Sequence, residues 1–62
     1  MNKIKEMEIY INNDKTLLIT EIIKVYEVGG RENSPRRIEI RSKNGEYVFI
    51  LNNIIGYNAI YE

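Results

Sequence analysis

Five of the nine basic residues, Arg31, Arg36, Arg37, Arg41 and Lys43, fall within residues 29–43, where only Glu32 and Glu39 oppose them. Guanidinium forks grip phosphate and carboxylate groups bidentately, and the neighbouring Gly29-Gly30 pair offers backbone N–H groups to an anion. The chemistry open to this stretch is therefore anion binding, with these five side chains as candidate ligands for a nucleotide, a small anion or a nucleic-acid backbone. A plainer use competes with it. Charge along an edge strand and its loop discourages unwanted strand pairing, and Glu39 lies where it can neutralise Arg37 and Arg41. No phosphate-binding fingerprint accompanies the glycines, so the plainer use is the expectation and nucleic acid is not the favoured partner.

Acid–base and metal chemistry have little to work with. Cysteine, histidine and tryptophan are absent, which removes disulfides, Cys/His zinc sites, thiol nucleophiles and imidazole bases. Glu6 and Glu8 alternate onto one strand face as a catalytic carboxylate pair would, but two carboxylates on a solvated strand usually only face water. The chain is also short for enclosing a pocket of the usual few hundred cubic ångströms. The expectation is a non-enzyme without cofactor or bound metal.

Tyr10, Tyr26, Tyr47, Tyr57, Tyr61 and Phe49 could stack bases if several shared a face with the arginines. Half-buried tyrosines are equally what a small core recruits. Tyr47 reads as core, while Tyr57 and Tyr61, on one strand face with Ala59, are the candidates for a surface role.

The elements that must position these groups are strands. Residues 37–43 alternate polar and apolar, residues 47–51 are rich in β-branched and aromatic types, and Asn44-Gly45 between them suits a type I′ turn. A two-residue loop there sets Lys43 opposite Glu46, Ser42 opposite Tyr47, Arg41 opposite Val48, Ile40 opposite Phe49, Glu39 opposite Ile50 and Ile38 opposite Leu51. One face then carries Ile38, Ile40, Tyr47, Phe49 and Leu51 and should be buried. The other mixes Arg37, Glu39, Arg41 and Lys43 with Val48 and Ile50, aliphatic residues that mark a candidate interface.

Upstream, residues 6–12 alternate with Met7, Ile9 and Ile11 on one side, and Asn13-Asp14 offers a turn into residues 16–19. Residues 17–28 carry apolar side chains on both strand parities. Leu18, Ile22 and Val25 also fit a helical stripe, but the β-branched content favours two strands bent near Thr20-Glu21, with a short helical turn there as the alternative. After Leu51, Asn52-Asn53 breaks the run, and residues 54–61 hold a short turn and a last strand in which Gly56 would mark a bulge.

Length and charge bound the rest. Sixty-two residues make one β domain, 1–62, and nine basic against nine acidic residues give zero net charge, hence no global pull toward nucleic acid or membrane. A chain of this size buries only about 60% of the surface its unfolded form exposes, and oligomerisation is a common remedy. The expected state is a homo-oligomer. No run approaches the ~20 apolar residues of a membrane span, and the lysines near the amino terminus precede no apolar stretch, so the expected compartment is the cytoplasm. Twelve isoleucines and eight asparagines are residues of AT-rich codons and suggest a low-GC bacterium or its phage.

The fold class that follows is all-β: five to six short antiparallel strands in a small barrel or coiled sheet. With a short turn before the last strand, around residues 52–55, the chain resembles small SH3-like and Sm-like barrel proteins in architecture. The glycine and Asp/Asn signatures of Sm proteins are absent, so the resemblance transfers no RNA-binding residue. Ile22-Ile23-Lys24-Val25-Tyr26-Glu27, Ile38-Glu39-Ile40 and Asn44-Gly45-Glu46-Tyr47 also resemble the opening half of LytTR-type DNA-binding domains. The later, DNA-contacting segments of those domains have no counterpart here, so a transcription-factor role is not expected. The functional expectation is a self-associating, non-enzymatic binding module that occupies a protein partner or ligand, with Val48, Ile50, Tyr57 and Tyr61 as contact residues. The alternative is an anion-binding oligomer built on the basic stretch.

Overall fold

A computed structural model of the chain describes residues 3–62; the first two residues of the amino-terminal stretch scanned for a leader lie outside it. Six strands form: β1 (Ile4–Asn12), β2 (Lys15–Ile19), β3 (Ile22–Val28), β4 (Arg37–Ser42), β5 (Gly45–Ile50) and β6 (Gly56–Tyr61), with a 3-10 turn over Leu51–Asn53 before β6. They make two three-stranded antiparallel sheets, ordered β2-β1-β6 and β3-β4-β5. The fold is all-β, and no helix among the described residues is long and apolar enough to cross a membrane.

Alternation decides what is buried. Met7 and Ile9 of β1, Ile19 of β2, Ile22 of β3, and Ile38 and Ile40 of β4 form the core between the sheets. Ile11, Leu17, Val25, Tyr47, Phe49, Leu51 and Ala59 pack around it. Each fully buried isoleucine contributes about 1.5–3 kcal/mol relative to leaving it in water. Tyr47 and Phe49 lie two apart on the inner face of β5 with rings parallel and centroids 6.4 Å apart.

The β4–β5 hairpin forms with the expected faces but a different register. Ser42 pairs with Gly45, Arg41 with Glu46, Ile40 with Tyr47, Glu39 with Val48, Ile38 with Phe49 and Arg37 with Ile50. The loop is Lys43-Asn44, and Gly45 already belongs to β5 with φ +146°. A type I′ turn needs positive φ at both central residues, whereas among the described residues only Glu21 and Asn33 outside glycine have positive φ. The Ser42 hydroxyl determines the outcome: it accepts from the Asn44 N–H (3.0 Å) and donates to the Gly45 carbonyl (3.3 Å). The slip is two residues, so every side chain keeps its side, where a slip of one would have exchanged them. Leu51 leaves the strand for the 3-10 turn, and Phe49 takes its place opposite Ile38.

Residues 17–28 are two strands and not a helix. The bend is at Glu21, with φ +53°, and the Lys43 N–H donates to the Glu21 carbonyl at 3.1 Å, tying the hairpin tip to this corner. Ile22 pairs with Ser42 and Lys24 with Arg41, leaving Ile23 as a bulge. The extra residue lets both Ile22 and Val25 face inward, and this three-residue spacing is what imitates a helical stripe. Gly56 is not bulged and pairs regularly with Tyr10; the irregularities in β1 fall between Ile4 and Glu6 and between Tyr10 and Asn12.

Candidate functional site

The outward face of the β3-β4-β5 sheet brings the largest set of the singled-out residues together. Reading across its strands, the register gives three rows: Val28, Arg37, Ile50; Tyr26, Glu39, Val48; and Lys24, Arg41, Glu46. Val48 is 60% exposed, Tyr26 45% and Ile50 38%. These are apolar groups that the fold leaves in water on one face. A shallow hollow of about 240 Å³ opens here, with Tyr26, Glu39, Arg41, Glu46 and Val48 on its walls.

Charges frame the apolar groups and pair with one another. Arg37 Nε donates to Glu39 Oε2 at 2.8 Å, and Arg41 Nε to Glu46 Oε1 at 3.2 Å. Lys24 Nζ sits 5.6 Å from the centroid of the Tyr26 ring, within cation–π range. Exposed ion pairs of this kind contribute up to about 1 kcal/mol each. Their main effect is to fix which charge stands beside which apolar group.

The five candidate anion ligands do not converge. Arg31 lies in the loop before β4, Arg37 and Arg41 point outward with Glu39 between them, and Lys43 is at the hairpin tip. Arg36 is bound to Glu27, whose carboxylate raises the guanidinium pKa by hydrogen bonding and by charge; partial desolvation opposes this and Tyr57 adds to it. Arg36, Arg37 and Arg41 thus each already hold a carboxylate, while Arg31 and Lys43 make no ion pair among the described residues. Gly30 is also committed. Gly30 N–H donates to the Ser34 carbonyl and Ser34 N–H to the Arg31 carbonyl, both at 2.9 Å, so the loop satisfies itself. No cluster of three carboxylates that could hold a metal occurs among the described residues.

Tyr57 and Tyr61 belong to the other sheet. They share a face with Ala59, Tyr57 pairs with Ile9, and both are partly exposed. They therefore form no patch with Val48 and Ile50. Glu8, on the outer face of β1, accepts from Tyr10 Oη and from Asn58 Nδ2 through one oxygen, both at 3.2 Å. Desolvation, with the hydrogen bond to Glu8 and its charge, pushes the Tyr10 phenol above its ordinary range.

Sequence reasoning missed Lys24, Tyr26 and Glu46 as members of this face. Counting parity straight through residues 17–28 puts Tyr26 with Ile22, and only a bulge at Ile23 separates them. Comparison with protein-family models, with curated proteins and with solved structures finds no match.

Proposed function

We propose that the chain is a non-enzymatic binding module, a small SH3-like β-barrel that associates with itself and works by occupying a partner surface. The carrying observation is the outward face of β3-β4-β5, where Tyr26, Val48 and Ile50 stand exposed in register among paired charges. The bend that leads β2 into β3 and the 3-10 turn that leads β5 into β6 support the barrel reading.

Binding would proceed by removing the aliphatic and aromatic groups from water, while Lys24, Arg37, Glu39, Arg41 and Glu46 select orientation by charge. The arginine–carboxylate pairs favour this reading over anion capture, because an incoming phosphate would first have to displace Glu27, Glu39 or Glu46. The proposed compartment remains the cytoplasm, on sequence grounds.

The test is Val48→Asp and Ile50→Asp. A carboxylate at either position would have to be desolvated at the contact, so both variants are expected to shift the sedimentation profile toward smaller species. An unchanged profile in both would overturn the proposal.

A further inference from the structure

Among the described residues four strands, β2, β3, β5 and β6, have a neighbour on one side only, and an open edge of backbone N–H and C=O groups is a template for another strand. Three of the four are obstructed or differently furnished. β3 is bulged at Ile23 and carries Lys24, and β2 is five residues long and begins at Lys15. In β6 the outward positions Asn58 and Ile60 sit beside Glu8 and Glu6. β5, with the sequence GEYVFI, has no bulge, no proline and a single charged residue.

The direction of its backbone groups follows from the ladder. Leu51 N–H donates to the Arg36 carbonyl at 3.0 Å, one step beyond the Arg37 and Ile50 pair. Antiparallel ladders alternate hydrogen-bonded and non-hydrogen-bonded pairs. Arg37 and Ile50, Glu39 and Val48, and Arg41 and Glu46 are therefore the non-bonded pairs. The N–H and C=O groups of Glu46, Val48 and Ile50 consequently point away from β4, into the open edge.

We infer that the partner of this edge is a second copy of the chain, with the two β5 strands joined antiparallel about a two-fold axis at Val48. The strand suits its own copy. Val48 meets Val48, and Glu46 of each copy meets Ile50 of the other, so that all three residues with outward-directed backbone groups fall in hydrogen-bonding pairs. No like charges are opposed. The outer row becomes Tyr26, Glu39, Val48 followed by Val48, Glu39, Tyr26, which sets the two exposed valines side by side. On the inner face Tyr47 of one copy falls opposite Phe49 of the other, extending the stacked aromatic pair. A two-fold contact of this kind closes at two copies.

The inference rests on the reading of Val48 and Ile50 as contact residues, and the test separates the two. Sedimentation velocity over a wide concentration range is combined with amide hydrogen exchange on the wild-type chain. A dimer is expected, with exchange at Glu46, Val48 and Ile50 slowed about tenfold or more as the dimer fills. Val48→Pro removes an outward N–H that β4 does not use and keeps an apolar side chain, so it should give a folded monomer; Val48→Asp should also dissociate the dimer. If a folded Val48→Pro still dimerises while Val48→Asp does not, the face contact stands and the edge pairing is overturned. If Val48→Pro fails to fold, exchange at the three wild-type amides decides. A monomer at every concentration, an assembly larger than two, or unslowed exchange at these amides in the assembled protein would each overturn the inference.

Discussion

The Pro35 carbonyl occupies the space that a Cβ on Gly29 would fill. Gly29 has φ +91°, and the nearest atoms to that missing Cβ are Pro35 and Arg36 backbone, which cannot swing aside. Gly29→Ala combines left-handed strain with a backbone overlap and should cost about 2–3 kcal/mol. Gly45→Ala meets open space at φ +146° and should cost only its dihedral strain, about 1 kcal/mol. Denaturant midpoints of the two variants, measured side by side, check the order; equal losses would contradict it.

Ile40 is 1% exposed at the centre of β4, whereas Leu18 is about half exposed on the outer face of β2. Ile40→Ala is expected to cost about 2–5 kcal/mol, by lost burial and the cavity it leaves. Leu18→Ala should stay within about 0.5 kcal/mol. Thermal or denaturant unfolding distinguishes them.

Tyr10 predicts an alkaline dependence. Its phenol is raised above 10.0 in the fold by desolvation and then by Glu8, so the folded chain holds this proton more tightly than the unfolded one. The associated stability is present in full below about pH 10 and declines as pH climbs through the folded pKa. Tyr10→Phe should flatten this part of the pH–stability curve, and ultraviolet titration should lose one phenol that ionises above the ordinary range. An unchanged curve would contradict the assignment.

The ion pairs of the outer face should be weak supports. Arg37→Ala and Arg41→Ala are each expected to cost less than about 1 kcal/mol, and the difference from wild type should shrink in salt. Denaturation at low and high ionic strength provides the check. A loss of several kcal/mol would mean these pairs hold the sheet together.

Alternation made the inner and outer faces of β4 and β5 readable from residues 37–51. It could not choose between two registers that differ by two, because both put Ile38, Ile40, Tyr47 and Phe49 on one side. In the register that forms, the Ser42 hydroxyl bonds to the turn at Asn44 and Gly45, a local side-chain contact with no periodic signature. In β3 one bulged residue broke the parity, which hid Tyr26 from the outer face and gave Ile22 and Val25 a helical spacing. Val48 and Ile50 were legible as exposed aliphatic residues because their strand is regular. The arginines were legible as a cluster along the chain but not in space, since Arg36, just before β4, holds Glu27 while Arg37, its first residue, holds Glu39.

The order of strands in the two sheets bears on the sequence of events in folding. Residues 22–50 contain every hydrogen-bonded neighbour in their own sheet, β3-β4-β5, and can zip up by successive short hairpins. β1 instead waits for β6, with Ile9 pairing across to Tyr57. Loop closure of that span is entropically slower. The sheet holding Met7 and Ile9 is therefore the last to be completed as the chain emerges, and the first to come apart when residues 56–61 are trimmed away.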